Sequence, residues 1–395
     1  MQLSTQILII ILFILLSAGL IVLIIYLAKD KNTNHLCTSG PGYKAAKSYF
    51  NNPNNKEKIT ITPQDFKPIV KACDGNIDRA LLCIANCIAY EGVSINKGSR
   101  IPRIKPPPGV PHTVMSGYPV GACVLGGETG TVYIGANFEF CSRLINTVHG
   151  EQCAIHNAAV HGEPSITKLA VNAAPCGVCR QYLVEIGPPE NLDVIFCDNN
   201  GKFVSYKLSN LIIESFGPEN LGQSQTSLKH TPQQINIKNT DEPSVKEAKK
   251  MFKQAYSPYT NIPEGIVLEF KQGQIARGQT IENAAYNPSL SAFRGACSLA
   301  ALKGYNMEDL SKIIYVHYNY EKSTSMAGAG KKCEFNNVGK SFKEIMKILS
   351  SSSTFPIDFN NIIEVKIPFN QPKSSMLQAF FHKPIQLIHK FQYLK

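Results

Sequence analysis

The sequence predicts an α/β fold in which one sheet-and-helix unit occurs twice, the second copy degenerate, behind an N-terminal transmembrane helix. Three observations predict this. Short apolar strand patterns alternate with helical ones, an order that builds a sheet with helices on its faces. Two stretches far apart in the chain run in register with each other, the sign of an internal duplication. The segment Ile7 to Ala28 is an apolar run of 22 residues without a charge, enough at about 1.5 Å per residue to cross a bilayer core.

The elements follow in order. MQLSTQ, ahead of the apolar run, has no Lys or Arg, whereas Lys29, Lys31, Lys44 and Lys47 follow it. A cleaved signal would carry a basic stretch in front and a shorter apolar core. The basic flank instead predicts a single-pass membrane anchor, residues 7–28, with the bulk of the chain cytoplasmic. A chain that does not use the segment is cytoplasmic outright. Residues 29–56 are polar and rich in Asn, Gly and Lys, and read as a linker. Thr62-Pro63 with Asp65 opens a helix, and a second spans Ile77 to Tyr90. The basic, Pro-rich stretch 97–112 reads as an exposed insertion. Val120–Leu125 and Thr131–Ala136 are strands joined by a Gly-rich turn. The helix of VHGEQCAIHNAA (Val148–Ala159) follows, then a buried strand, Leu169–Ala174, a helix, Pro175–Ile186, and a strand, Asp193–Asp198. Residues 221–243 read as a linker between units, and Ser244-Val-Lys-Glu247 as a capping box opening a helix to about Tyr256.

From there the pattern repeats. SGYPVGACV (116–124) matches TNIPEGIVL (260–268) at an offset of 144, and GANFEF (135–140) matches GQTIEN (278–283) at 143. With Gly162 set against Gly304, an offset of 142, His149 falls on Ser291 and Glu151 on Phe293. The second copy keeps the scaffold and lacks the polar residues. The predicted units are therefore an anchor and linker (1–56), a catalytic unit (57–220), a linker (221–243), a degenerate unit (244–350) and a basic tail without an assigned role (351–395).

The chain carries a formal charge of +11, which raises nucleic acid or an anionic membrane as a partner. Its distribution argues against a polynucleotide. Between Ser116 and Asp198 there are three basic residues (Arg143, Lys168, Arg180) and eight acidic ones, a net of −5 that leaves +16 for the rest. A groove that tracks phosphates needs the opposite sign near its chemistry. The 12 cysteines show no tight regular spacing, and fit a reduced compartment with some metal thiolates better than a disulfide scaffold.

The chemistry gathers on His149, Cys176 and Cys179. One imidazole and two thiolates are good zinc ligands, and three protein ligands leave a fourth position open. Pro-Cys-x-x-Cys at a helix start favours thiolate over thiol, through the helix N–H groups and dipole. Two thiolates neutralise the metal's charge, so a base is needed nearby, and Glu151, two residues from His149, is placed for proton transfer. The class of reaction this assembles is addition of water to an electrophilic carbon. Cys153 and His156 offer rival ligands, but Cys153 reads as a small buried residue and His156 and His161 as partly exposed polar ones. Cys83 and Cys87 read as core. Arg180 can bond a thiolate or lie in solvent, and Asn137 and Glu139 by themselves can brace a turn.

H-x-E with P-C-x-x-C is the signature of zinc nucleobase deaminases. The whole pattern resembles cytidine deaminase, and the two-copy arrangement resembles its two-domain homodimeric type. The resemblance rests on Tyr118-Pro-Val-Gly-Ala122, Gly135-Ala-Asn137-Phe-Glu139-Phe140, Thr147-Val-His149-Gly-Glu151, Pro175-Cys176-Gly-Val-Cys179-Arg-Gln181 and Glu282-Asn-Ala-Ala-Tyr-Asn-Pro288. It implies two three-layer α/β/α domains with a mixed sheet. It implies Zn2+ on His149, Cys176 and Cys179, with Glu151 as proton shuttle. It further implies that Asn137 and Glu139 grip the ribose, that Tyr118 packs near the pyrimidine where the family usually has Phe, and that a homodimer forms. The expected substrates are free cytidine and deoxycytidine, not nucleic acid. Editing of RNA or DNA, and a membrane-tethered zinc or nucleoside binder without turnover, are the rival readings. The charge around the site stands against the first and the intact Glu151 against the second.

Overall fold

The structure is a computed structural model, and it describes residues 37–55, 57–89, 118–140, 146–198, 202–232, 242–319 and 361–368. The predicted anchor 7–28, the insertion 97–112 and the tail beyond 368 lie outside the described residues. Among the described residues no helix is long and apolar enough to cross a membrane.

The first sheet holds β1 (Thr60–Ile61), β2 (Gly121–Gly126), β3 (Val132–Ala136), β4 (Ile166–Val171), β5 (Asp193–Cys197) and β6 (Phe203–Lys207), in the order β1-β3-β2-β4-β5-β6. Only β4 and β5 run parallel; the other neighbours are antiparallel. The second sheet holds β7 (Gly265–Phe270), β8 (Ile275–Gln279), β9 (Leu310–Asn319) and β10 (Ile362–Pro368), in the order β8-β7-β9-β10. Its pairings repeat those of β3-β2-β4-β5: antiparallel, antiparallel, parallel. The irregularities coincide as well. Register slips between Leu125 and Gly126 in one sheet and between Glu269 and Phe270 in the other. The bridge Phe138–Val148 has its counterpart in Ile281–Leu290. The fold is a mixed α/β architecture in which the four strands of the second sheet repeat β3-β2-β4-β5 of the first, while β1 and β6 have no counterpart among the described residues.

Paired glycines show how the helices sit. A Cβ on Gly121 would strike the main chain of α3 (Ile77–Cys87), and one on Gly135 the main chain of α4 (Gly150–Val160). Gly121 pairs with Ala136, and Ala122 with Gly135. Neighbours along a strand face opposite ways, so α3 and α4 cover opposite faces of the sheet. In the second copy Gly265 meets α6 (Pro243–Gln254) and Gly278 meets α7 (Ala292–Leu302) in the same manner. Close helix–strand approach is the reason that glycine recurs at these registers.

The larger apolar core runs through both copies, and a smaller one lies within the second. All of α4 is buried, because β2 and β3 cover one side and α7 and β8 of the second copy cover another. Phe293, at the register of Glu151, packs toward Phe140 with ring centroids 6.5 Å apart. Glu185, fully buried in the first copy, accepts hydrogen bonds from Tyr256 Oη (2.8 Å), Tyr259 Oη (2.5 Å) and the Ala284 N–H (2.9 Å) of the second.

Several expectations change. Within the expected linker 29–56 lies α1 (Pro41–Asn51), whose Tyr43, Ala46 and Phe50 are buried. These apolar positions recur at helical spacing and pack beside α3, beneath a polar face that dominates the composition. The helix at Pro63 runs to Lys71 as α2, with the Thr62 side chain accepting the Asp65 N–H, as read. The box at Ser244 is not formed. Glu242 is the N-cap, its side chain bonded to Lys312 Nζ (3.1 Å) and not to the first turn, and Pro243 takes the first helical position, as its fixed φ favours. Residues 226–230 are packed rather than free: the Ser227 N–H donates to Glu185 O at 2.8 Å, and His230 Nε2 lies 3.0 Å from Gln254 O. Residues 362–368, assigned to the tail, form β10 and complete the second sheet beside β9.

Candidate active site

Two helix N-termini converge on one point. His149 is the N-cap of α4, with φ −76° and ψ 156°, and Cys176 is the N-cap of α5 (Gly177–Leu183), with φ −70° and ψ 170°. Extended backbone at a cap turns its side chain back over the first turn, where the third helical residue also points. In α5 that residue is Cys179, so the spacing of two between the cysteines brings both sulfurs to one place.

His149 Nδ1 lies 3.6 Å from Cys176 Sγ, and Cys176 Sγ lies 3.6 Å from Cys179 Sγ. The three donor atoms fall within 4.8 Å of one another, the single such group found among the described residues. A tetrahedral zinc at its usual bond lengths separates two sulfurs by about 3.8 Å, and a sulfur from a nitrogen by about 3.6 Å. The donor set and its spacing fit zinc with a fourth position left over. Cys179 is buried, His149 half-buried and Cys176 exposed, so the approach is from the Cys176 side. The Cys179 thiol and then His149, both hydrogen-bonded to Cys176, hold its thiol down to about 3. The same bond, with burial, pushes Cys179 up. The Cys176 sulfur raises His149.

Glu151, the second residue of α4, is 3% exposed. Burial raises its carboxyl above the usual range, offset by hydrogen bonds from its own N–H and from the Cys179 thiol. A raised carboxyl so placed beside the donor set is positioned to take up and give back a proton.

The remaining predicted residues flank this point. The Phe138–Val148 bridge, with both N–H···O distances at 2.8 Å, lays the Asn137–Glu139 loop along the chain that enters α4. Asn137 Oδ1 accepts the Val120 N–H at 3.0 Å and Nδ2 donates to Tyr118 O at 3.1 Å. Its amide therefore braces the segment that carries Tyr118, which is 57% exposed. Asn172 grips the same segment from the other side, through the Gly121 N–H (2.9 Å) and Pro119 O (3.2 Å). Glu139 is half-buried.

The rival ligands fall away. Cys153 is fully buried one turn into α4, outside the donor set. His156 is not partly exposed as expected. It is fully buried, its Nε2 accepts the Gln279 N–H at 3.2 Å, and burial pushes its pKa down to about 3. A helix covered on one side only would have left it in solvent; the second copy supplies the other cover. Arg180 bonds neither thiolate nor solvent alone: Nε donates to Pro175 O and Nη1 to Leu211 O, both at 2.9 Å. Gln152 was missed by the sequence reading. Its Oε1 accepts the His149 N–H at 3.1 Å and its Nε2 donates to Pro288 O at 2.8 Å. Only its place at the third helical residue, the partner position of a capping box, could have flagged it.

Two family models, both described as the cytidine and deoxycytidylate deaminase zinc-binding region, match residues 112–194 and 208–329. The chain is 35% identical over 205 residues to a cytidine deaminase of Haemophilus influenzae, covering 51% of this chain and 68% of that one. It is 33% identical over 217 residues to a cytidine deaminase of Vibrio cholerae, covering 55% of this chain and 72% of that one. Among solved structures, cytidine deaminase from Burkholderia pseudomallei matches 26% of this chain and 86% of its own, at 27% identity and a TM-score of 0.24, an overlap too partial to carry an argument about the fold. On its two matched regions and these relatives, the chain belongs to the zinc-dependent cytidine deaminases, in their two-domain form.

Proposed function

We propose that His149, Cys176 and Cys179 hold the zinc of this cytidine deaminase, that Glu151 moves its protons, and that free cytidine and deoxycytidine are its substrates. The observation that carries the reading is a buried carboxyl beside a three-donor triangle of zinc dimensions. When bound, zinc supplies Lewis-acid activation of the attacking water. Glu151 accepts a proton from that water and delivers it to ring N3, which makes C4 electrophilic. The water oxygen then adds to C4. Glu151 carries the second proton to the amino group, and the C4–N bond breaks to release ammonia. Asn137 and Glu139 take the ribose hydroxyls, and Tyr118 lies against the pyrimidine. Burial of Glu151 keeps bulk water from competing for its proton.

The reading extends to organisation. The catalytic unit is 57–220 together with α1, and the ligand-free unit runs from 244 through β10. A homodimer, a membrane anchor at 7–28 and a cytoplasmic catalytic unit complete it, supported by the two-domain relationship and the basic flank of the apolar run. The test is ultraviolet loss of cytidine by the full chain in detergent, with and without a zinc chelator. Turnover that chelation removes and zinc restores is expected. No turnover in zinc-loaded protein overturns the reading, and protease-resistant burial of the catalytic unit inside sealed vesicles of cytosolic-side-out orientation overturns the topology.

A further inference from the structure

One side chain of the second copy grips the main chain that leads into His149. Arg294 lies in the first turn of α7, and its guanidinium donates from Nε to Asn146 O (2.9 Å) and from Nη2 to Thr147 O (2.8 Å). Nη1 donates to Ser289 O at 3.2 Å. Asn146 and Thr147 are the residues that lead into His149. Two parallel donors on adjacent carbonyls fix both the position and the direction of a peptide, which a single ammonium cannot do.

The contact is one half of a reciprocal pair. Arg294 occupies the register of Gln152, and Pro288 that of Asn146, both at the offset of 142. Gln152 of the first copy donates to Pro288 O of the second, while Arg294 of the second donates to Asn146 O of the first. The third residue of each helix thus holds the approach to the other helix. On the approach to Ser291 there is nothing to position. On the approach to His149 there is a ligand. That segment is held on its other side by the Phe138–Val148 bridge, and the His149 N–H by Gln152. The main chain on both sides of the ligand's N–H is thus fastened by hydrogen bonds.

We propose that Arg294 is a positioning residue for the His149 ligand, so that the degenerate copy sets the zinc affinity of the intact one. The proposal rests on the ligand assignment made above. Outer-shell groups that orient a metal ligand change affinity by about 10- to 100-fold when removed.

The experiment measures zinc dissociation by competition with a chromophoric chelator on the full chain, for wild type, R294M, R294K, H149A and R277M. Arg277 pairs with Glu247 at 2.7 Å within the second copy and reports on general loss of an arginine contact there. A cobalt-loaded set, read by its visible spectrum, reports ligand geometry without reference to turnover. The expected result is zinc binding weakened about tenfold or more in R294M, with an altered cobalt band, and R294K between the two because it satisfies one carbonyl. R277M keeps wild-type affinity and spectrum. If R294M does not fold, R294K alone decides, by a lowered affinity at unchanged melting temperature. Affinity within twofold of wild type in the folded Arg294 variants overturns the proposal, as does an equal loss in R277M. Retention of wild-type zinc affinity by H149A overturns the ligand assignment itself, a result separable from either outcome at Arg294.

Discussion

Replacing Glu185 by Ala should loosen the union of the two copies by about 3 kcal/mol. The carboxylate is fully buried and accepts three hydrogen bonds from the second copy. Tyr256 Oη has a second acceptor in Gln225 O at 3.2 Å, so it is not orphaned by the change. Tyr259 Oη and the Ala284 N–H lose the acceptor named for them. A fully buried donor left unsatisfied costs about 1–3 kcal/mol; the Ala284 N–H is fully buried and the Tyr259 hydroxyl partly so, which together give the figure above. E185Q keeps an oxygen toward the tyrosines but turns an amide N–H2 toward the Ala284 N–H, and should cost about 1–3 kcal/mol for that one mismatch. The assay is urea unfolding followed by tyrosine fluorescence and far-ultraviolet circular dichroism. Both probes should shift together in each variant, because the larger apolar cluster runs through both copies. Burial raises the Glu185 carboxyl above its usual 4.5 in the fold. The native state therefore binds more protons than the unfolded one, and this group's contribution is full below the unfolded value and declines as pH rises through the window from 4.5 to the folded value. In E185Q that part of the slope disappears. A loss under 1 kcal/mol in E185A would refute the clamp.

Other outcomes follow from the site and the packing. E151Q should bind zinc as wild type does and lose about 100- to 10,000-fold in kcat; near-normal turnover rules Glu151 out as the proton carrier. C176A should lose its metal by atomic absorption, since two protein ligands do not hold zinc at a catalytic site. G278A would drive a methyl into the Ala292 carbonyl of α7 and should cost about 1–3 kcal/mol, read as a lowered urea midpoint; the equivalent substitution at Gly135, against Gly150 and Ala154 of α4, should also raise KM or lower kcat because α4 carries Glu151.

The clustering of His149, Cys176 and Cys179 was legible in the sequence. Cys176 and Cys179 belong to one helix start, and His149 and Glu151 to another, so local spacing alone places each pair correctly within its turn. What spacing cannot give is how two turns meet, and Gln152 and Arg294, which fasten that meeting, carried no signal of their own. The duplication was legible because glycines at Gly121, Gly135, Gly265 and Gly278 are demanded by close approach, and such demands survive when side-chain chemistry is lost. Burial was misjudged where it depends on a distant partner. His156 looks like a surface residue until the second copy covers it. The polar appearance of 29–56 hid α1, whose four buried residues are a minority of its length. β10 was lost because pairing with β9 is a long-range event: the sequence between Asn319 and Ile362 contains no hint of where the chain returns.

That return has a consequence for how the protein ages and is cut. β9 is a ten-residue strand flanked by β7 on one side and, from Ile313 to Asn319, by β10 on the other. Proteolysis anywhere between the two would leave β10 held by its pairing, the packing of Ile363, Val365 and Ile367 and the His317–Glu364 contact, without a covalent tie to β9; its departure would bare a long strand edge rich in Ile, Val and Tyr. Such edges recruit other chains. A cut in that segment would then expose the edge in the second sheet, away from the donor set of His149, Cys176 and Cys179.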